Sequence, residues 1–157
     1  MTTLKQGYPF KQYLPIKGLG IQLVLAYCLE GLNAMDQVPA YVFNICLDDG
    51  RVVGQIDIRI GESDHLNLYG GQIGYGVSSD FRGHYFAYKA CRLIKQVAWD
   101  HGMQSLWITC NTDNIASIKT CQRLGARLIS TEVVPVGCEL YRRGDRVKYR
   151  FLWFFGS

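Results

Sequence analysis

The sequence predicts one α/β domain over residues 1–157: a mixed, mostly antiparallel sheet of six or seven strands with helices on its faces. Its 157 residues match the usual ~100–200 of a single domain, and apolar residues make up 48% of the chain, enough for a substantial core. Strand-like apolar runs fill the first third, and two segments with helical spacing follow among further strands. No repeat, low-complexity segment or linker divides the chain.

Three strands joined as a meander are expected in the first third. Residues 21–29 and 41–47 are apolar and rich in β-branched residues, as strands are. Residues 48–50, Asp-Asp-Gly, form a turn between the second and third strands, because Asp-Gly accepts the positive φ angles of hairpin turns. Residues 52–60 then alternate between isoleucines on one face and polar residues on the other. The isoleucines are Ile56, Ile58 and Ile60, and the polar residues are Gln55, Asp57 and Arg59.

A polar loop at residues 61–71 leads into a short strand at 72–77, which carries Gly74 and Gly76. Glycine weakens the interior of a strand. The paired glycines therefore indicate either a bulge or a place where another group lies against the backbone.

Two helices are expected in the second half. Residues 84–100 form an amphipathic helix, because its apolar residues are spaced by four, three and four positions, and His101-Gly102 ends it. A second helix at 114–124 begins at a cap, Asp113 or Asn114, and ends at Gly125. Ile115, Ile118 and Cys121 lie on one side of it. Strands at 105–110, 127–133 and 146–154 complete the order β-β-β-β-α-β-α-β-β.

The net charge and the distribution of apolar residues indicate which partners and which location to expect for the protein. Seventeen basic and 13 acidic residues give a formal charge of +4, which suits a small anionic ligand and does not by itself indicate nucleic acid. The first residues lack the apolar core of a signal peptide, and no segment approaches the ~18 apolar residues of a membrane helix. We expect a cytoplasmic protein with no membrane partner. No histidine pair and no C-x-x-C pair has ligand spacing, so no metal site is expected.

The segment from Val77 to Ala90 is the strongest candidate for a binding site. It joins the glycine-bearing strand to the start of a long helix, where free N–H groups and the helix dipole favour phosphate. Arg82 adds a cation just ahead of the helix, and Gly83 permits a close approach to a ligand. The alternative is an ordinary strand-to-helix turn with a solvated arginine.

Two motifs carry a resemblance to a known family. Residues 82–87, Arg-Gly-His-Tyr-Phe-Ala, resemble the R/Q-x-x-G-x-G/A signature of the GNAT superfamily of N-acetyltransferases. Residues 111–126 resemble the N-x-x-[A/S]-x-x-x-Y-x-x-x-G-F segment at the start of that family's second helix. The order of elements from Ile21 to Phe154 is similar to the family's fold along nearly the whole chain.

The resemblance implies acetyl-CoA as cosubstrate and transfer of its acetyl group to an amine. The backbone amides of residues 82–87 would hold the CoA pyrophosphate, and Gly76 and Val77 would run beside the pantetheine arm. A bulge there would direct an N–H group at the thioester carbonyl. Asn114 would contact the pantetheine and can also cap its helix. The implied cofactor-binding residues are Gly76, Val77, Arg82, Gly83, His84, Tyr85, Phe86, Ala87, Asn114 and Ser117.

The sequence departs from the family pattern at two positions. Tyr85 replaces the inner glycine of the signature, and phosphate binding survives this change if the φ angle of Tyr85 is already helical. Cys121 replaces the tyrosine that often protonates the departing CoA thiolate. A thiol, with a reference pKa of ~8.5, could donate that proton, or Cys121 could simply belong to the core.

No sequence motif identifies the general base that would deprotonate the amine acceptor. An alkylammonium acceptor has a pKa of ~10 and must lose a proton before it attacks the thioester. Asp57 is the first candidate, with an ion pair to Arg59 as the alternative; Glu30 is the second, and deprotonation by water is equally open. Tyr75 would line the acceptor channel, which residues 31–38 and 61–71 would help to shape.

The predicted function is therefore an N-acetyltransferase that moves the acetyl group to a primary amine by direct attack in a ternary complex. The amine, a small molecule or a peptide, is not specified. The alternative is a non-catalytic CoA-binding module of the same fold. A nucleic-acid-binding domain is a third interpretation, and we expect no such binding; it would use Arg142, Arg143, Arg146, Lys148 and Tyr149. Residues 151–155 are apolar and are expected in a terminal strand or at a contact between two copies of the chain.

Overall fold

The computed structural model describes residues 7–31 and 38–156, and these contain eight strands in two sheets. The strands are β1 (Ile16–Gly18), β2 (Ile21–Leu29), β3 (Ala40–Leu47), β4 (Val52–Arg59), β5 (Ile73–Val77), β6 (Ser105–Asn111), β7 (Arg127–Val133) and β8 (Val147–Phe154). The helices are α1 (Phe86–Asp100), α2 (Ile115–Leu124) and the short α3 (Glu139–Arg142). The sequence did not predict β1 or α3. Most of the 31–38 segment, predicted to shape the acceptor pocket, lies outside the described residues.

Both sheets are antiparallel within the described ranges. The larger one has the order β1-β2-β3-β4-β5 and the smaller one the order β6-β8-β7. The predicted fold class is confirmed, although the described strands number eight and are divided between two sheets instead of six or seven in one. The last strand, β8, lies at the centre of the smaller sheet and contains most of the apolar segment 151–155, which was expected in a terminal strand or at a contact between two copies of the chain.

The hairpin between β3 and β4 follows the predicted turn chemistry. Leu47 N–H donates to Arg51 O at 2.9 Å, and Gly50 takes a φ of +91°. The alternation of β4 is also confirmed, because Ile56 and Ile58 are buried while Gln55 is exposed. Asp57 and Arg59 therefore lie on the face of the sheet opposite to the core.

Helix α1 packs its apolar side against the larger sheet. Ala90, Ile94 and Val97 are fully buried beneath it, together with strand residues from both sheets. The helix begins at Phe86, two residues later than predicted, and ends at His101 and Gly102 as expected.

Helix α2 begins one residue later than predicted and ends at the predicted residue, but its buried side is different. Asn114 Oδ1 accepts a hydrogen bond from Ser117 N–H at 3.1 Å, and Gly125 ends the helix with a φ of +77°. Ser117 and Cys121 are buried, whereas Ile115 is 57% exposed. The prediction for Ile115 is wrong because it lies two positions before Ser117, ~200° around the helix.

The predicted loop at 61–71 contains a short π-helix, Leu66–Gly70, that packs on the sheets. Arg59 Nη1 donates to the carbonyls of Gly70 and Gly71 at 2.9 and 2.8 Å. Thr109 Oγ1 donates to Tyr69 O at 2.7 Å. These bonds hold the segment against β4 and β6, and it lines neither of the cavities described below.

Candidate active site

The two sheets separate directly after Gln72. Gln72 N–H donates to Trp107 O at 2.7 Å, and Trp107 N–H donates to Gln72 Oε1 at 2.9 Å. Beyond this point β5 and β6 belong to different sheets, so one edge of β5 is open.

The backbone alternation of β5 directs polar groups into this opening. Arg59 N–H donates to Gln72 O and Ser78 N–H donates to Val53 O, each at 2.8 Å. Even-numbered residues of β5 therefore face β4, while Tyr75 and Val77 direct their N–H and C=O groups towards the open edge. Within the described residues, no strand pairs with this edge of β5.

The predicted bulge in β5 is wrong. Its register with β4 is continuous from Ile73 to Val77. The glycines do not interrupt the hydrogen bonds between β4 and β5. Their missing side chains leave space on the face of the strand instead. A Cβ on Gly74 would lie 2.8 Å from Asp57 Oδ2, and a Cβ on Gly76 would meet no atom within 4 Å. The other predicted alternative, a group lying against the backbone, applies at Gly74.

A groove of about 950 Å³ opens at this edge, between β5, the β5–α1 connection and α2. Tyr75, which was expected in the acceptor channel, also lines this groove. The groove brings together nearly all the residues that the resemblance assigned to the cofactor: Gly76, Val77, Arg82, Gly83, Tyr85, Phe86, Ala87, Asn114 and Ser117. His84 does not line it; its ring lies 5.5 Å from the ring of Phe86, centroid to centroid. That the residues lining the groove bind the cofactor stays a prediction.

The start of α1 presents free donors to the groove. Lys89 N–H donates to Tyr85 O at 2.9 Å, which is the first helical bond, so the N–H groups of residues 86–88 precede any acceptor within the helix. No side chain caps this end. The αL conformation of Tyr85, with φ +61° and ψ +26°, contradicts the expected helical φ, because the helix starts one residue later.

The groove is positively charged. Arg82, Lys119 and Arg123 line it, and no Asp or Glu is found among the described residues around it. Arg82 Nε donates to Val77 O at 3.3 Å, so this cation bridges the strand and the loop. The helix dipole adds partial positive charge at the same place.

The Tyr75 side chain crosses from β5 to α2. Its phenol oxygen lies 2.7 Å from Ser117 Oγ, and burial raises the pKa of the phenol. Both residues line the groove, and Ser117 is only 6% exposed. A protonated phenol is thus held at the point where the sheets diverge.

The comparisons with known proteins agree with this geometry. A family model described as an acetyltransferase (GNAT) domain matches residues 22–127.

The chain belongs to the GNAT acetyltransferase family.

Three solved structures illustrate the shared fold. The ribosomal L7/L12 alpha-N-protein acetyltransferase RimL, in complex with coenzyme A, has a TM-score of 0.65 at 14% identity, covering 90% of this chain and 98% of that one. The microcin C7 self-immunity acetyltransferase MccE, in complex with acetyl-CoA and AMP, has a TM-score of 0.54 at 21% identity, covering 74% and 61%. A GNAT family acetyltransferase from Bacillus anthracis has a TM-score of 0.55 at 17% identity, covering 72% and 65%.

This chain therefore spans less than two thirds of the MccE and Bacillus anthracis chains. No curated protein matches it at a significant level. At these identities the solved structures show the fold.

Within this GNAT fold, Cys121 does not reach the groove. Its side chain is fully buried, and burial raises the pKa of the thiol to about 12, although a hydrogen bond with Tyr75 acts in the opposite direction. The predicted alternative, a core residue, describes Cys121. The pairing of Tyr75 with Ser117 was not predicted, and its only signal in the sequence is that Tyr75 and Val77 share one face of β5.

A second cavity of about 530 Å³ lies on the opposite face of the GNAT sheet. Asp57 and Gln55 line it together with Gly74, and residues 75–77 line both cavities. Arg59 Nε lies 3.1 Å from Asp57 Oδ1, so the ion pair left open by the sequence is present. An acceptor in this cavity would meet the cofactor groove across the edge of β5.

Glu30 is not part of either cavity. Its Oε2 accepts a hydrogen bond from Tyr8 N–H at 2.8 Å, which ties the N-terminal segment to the end of β2. The structure therefore gives no support to Glu30 as a base.

The basic residues of the nucleic-acid interpretation are engaged within the protein. Lys148 is 4% exposed, and its Nζ lies 2.9 Å from Asp145 Oδ2. Arg143 also contacts Asp145, and Arg146 lies over the Tyr141 ring at 3.7 Å. These cations therefore stabilise the α3–β8 region through contacts within the protein. Such contacts make them less available to bind the phosphates of a nucleic acid.

The described residues, 7–31 and 38–156, contain no cluster of three or more His, Cys, Asp or Glu side chains suited to a metal ion. Within the same ranges, no helix is both long and apolar enough to cross a membrane.

Proposed function

We propose that this chain is an acetyl-CoA-dependent N-acetyltransferase that transfers the acetyl group to a primary amine by direct attack in a ternary complex. One observation carries the proposal: the open edge of β5 and the free N–H groups of α1 face the same groove of about 950 Å³. An extended amide chain ending in a diphosphate fits both features. The family assignment supports acetyl transfer in general, and the amine acceptor is the finer part of the proposal.

The groove offers a separate contact for each part of CoA. The N–H groups of residues 86–88 and the guanidinium of Arg82 bind the diphosphate, while the flexible Gly83 lets the loop approach it. The backbone groups of Tyr75 and Val77 pair with the amides of the pantetheine arm, which Asn114 and Ser117 flank from α2. Bound acetyl-CoA supplies an acetyl thioester, which is an activated acyl donor.

Outward-facing N–H groups on β5 polarise the thioester carbonyl. The regular strand presents these donors without the bulge that the sequence suggested, because alternate residues face the opening. Donors fixed before the reaction stabilise the oxyanion that forms when an amine attacks an acyl carbon.

Tyr75 donates the proton that the departing sulfur requires. Its phenol is protonated at neutral pH, as an ordinary phenol is, and burial raises its pKa further. The phenolate left by the transfer regains a proton from solvent, which takes up the proton lost by the attacking nitrogen. Ser117 Oγ, 2.7 Å away, orients the phenol and can share its proton. In this proposal Tyr75, reaching in from β5, performs the role that the sequence assigned to Cys121.

Asp57 orients the incoming amine on the opposite face. Its carboxylate lies beside Gly74, in the second cavity, where it can accept a hydrogen bond from an ammonium group. Since Arg59 already neutralises part of its charge, water is the better proton acceptor. Asp57 is therefore an orienting group, and loss of the ammonium proton makes the rate rise with pH.

The proposal is tested with the purified chain, acetyl-CoA and a panel of primary amines that includes polyamines, aminoglycosides, lysine peptides and peptide N-termini. Mass spectrometry should detect an amine that gains an acetyl group and, without an acceptor, no acetylated protein. An acetyl adduct on the protein would replace direct attack by a covalent route. Calorimetric binding of acetyl-CoA with no product from any amine would favour the non-catalytic module.

A further inference from the structure

Arg123 lies over two tyrosine rings at the rim of the groove. Its guanidinium carbon is 3.9 Å from the centroid of the Tyr85 ring and 5.7 Å from that of Tyr88. Tyr85 is 58% exposed, so this contact is a surface arrangement that the core does not impose. A guanidinium lying over a ring keeps its N–H groups directed sideways, where they can bind an anion in a bidentate manner.

Arg123 has no carboxylate partner among residues 7–31 and 38–156. No ion pair joins it, or Lys119, to any carboxylate of the described residues. The two cations lie four positions apart on α2, so they share one face of the helix, and both line the groove. Two like charges placed side by side without a counter-ion favour an anionic ligand between them.

Helix α2 places Arg123 away from the Tyr75–Ser117 contact, along the groove. Ser117, beside the phenol of Tyr75, belongs to the first turn of α2, and Arg123 belongs to the last. Six residues of helix correspond to ~9 Å along the axis. A ligand with its thioester at Tyr75 and its diphosphate at the start of α1 would extend its remaining end towards Arg123.

We propose that Arg123, held on the ring of Tyr85 and assisted by Lys119, binds the 3′-phosphate of CoA and lets the protein distinguish CoA from 3′-dephospho-CoA. This inference rests on the proposed function, because it requires CoA in the groove. The diphosphate occupies the donors of α1 and Arg82. The 3′-phosphate is a second dianion and needs cations elsewhere, and Lys119 and Arg123 are the other lining cations.

The unusual residue of the anion-binding loop then has a purpose. Tyr85 takes an αL conformation, which glycine adopts without strain and a tyrosine does not. A glycine at this position would leave Arg123 without the nearer of its two rings. The strained backbone conformation of Tyr85 is therefore offset by a ring that fixes the position of the Arg123 guanidinium.

Isothermal titration of CoA and 3′-dephospho-CoA into the intact chain and its variants tests the proposal. The chain should bind CoA about tenfold more tightly than 3′-dephospho-CoA, the usual scale of one charge-assisted contact near the surface. Arg123→Ala should weaken CoA binding about tenfold, leave 3′-dephospho-CoA binding unchanged and bring the two affinities together. Arg127→Ala, an exposed arginine on β7 outside the groove, is the matched control and should change neither affinity.

Each other outcome has a definite meaning. Equal affinity of the unsubstituted chain for both ligands overturns the inference, and so does an equal loss of both in Arg123→Ala, because Arg123 would then act on the diphosphate or on the fold. If Arg123→Ala does not fold, the ratio measured on the unsubstituted chain still decides. A chain that binds neither ligand contradicts the proposed function itself.

Discussion

The phenol oxygen of Tyr75 and the hydroxyl oxygen of Ser117 lie 2.7 Å apart and join β5 to the first turn of α2. Both side chains line the groove between β5 and α2. In the proposed function, the same contact holds the phenol beside the reacting thioester.

Replacement of Tyr75 by phenylalanine removes the proposed proton donor and keeps the ring. We expect kcat to fall about 100-fold, the lower end of what general acid catalysis contributes, with little change in the KM for acetyl-CoA. Steady-state kinetics on the most active amine provides the measurement. Because the pKa of the Tyr75 phenol is raised, the unsubstituted enzyme should show no loss of kcat from this group up to a pH of ~10.

Tyr27→Phe is the matched control for this experiment, since Tyr27 is 51% exposed on β2 and remote from the groove. Ser117→Ala should lower kcat by less than Tyr75→Phe does, because the phenol remains. A Tyr75→Phe enzyme with full kcat would show that water protonates the thiolate.

Cys121→Ala separates a core role from a catalytic role. We expect the free energy of unfolding to fall by about 1 kcal/mol, because the change leaves a small cavity among Cys91, Cys110 and neighbouring core residues. The value of kcat should stay within about threefold of the original. Denaturant unfolding and kinetics on the same preparation give both quantities, and a large loss of kcat at unchanged stability would assign the acid to Cys121.

Ala87→Glu places a carboxylate in the first turn of α1, where the diphosphate is proposed to bind. Like charges would then meet at the helix start, and acetyl-CoA binding should become undetectable by calorimetry while the circular dichroism spectrum is unchanged. Ala26→Glu is the matched control, since Ala26 is exposed on β2. Unaltered affinity in Ala87→Glu would mean that the diphosphate binds elsewhere.

Asp145 should make the free energy of unfolding depend on pH in the acidic range. Its contacts with Lys148, Asn111 and Arg143 lower the pKa of the carboxyl to about 2 despite burial. Because the folded pKa lies below the unfolded value of ~3.9, the stabilisation is complete above that value and is lost as the pH falls towards 2. The loss is about 2 kcal/mol, and Asp145→Asn should remove this pH dependence in chemical unfolding experiments at pH values between these limits. A profile of the same shape in Asp145→Asn would assign the acid sensitivity to other carboxylates.

Local patterns predicted the parts of the fold that local chemistry determines. The Asp49-Gly50 turn, the alternation of β4, the Asn114 cap and the Gly125 end each depend on a few neighbouring residues, and each is present. The two family motifs likewise identified segments that line one groove, because each motif describes a turn and the start of a helix.

Features that depend on distant partners could not be predicted in this way. The π-helix at Leu66–Gly70 is held by Arg59, Thr109 and Arg150, which lie on three different strands. The burial of Cys121 and the path of the Tyr75 phenol depend on how α2 sits against β5. A motif that places a residue on a helix does not indicate which side chain of a neighbouring strand lies beside it.

The side chain of Gln72 determines where the opening begins. It is 2% exposed, its amide accepts from Trp107 N–H and donates to Gly61 O, and it thereby imitates a piece of backbone at the last point of contact between the sheets. The five residues of β5 that follow, ~16 Å of extended chain, are the whole length available to a pairing ligand. The position of Gln72 therefore sets the length of the open edge of β5. Moving this junction by one pair of residues would shorten or lengthen the stretch of strand with which an extended ligand could pair.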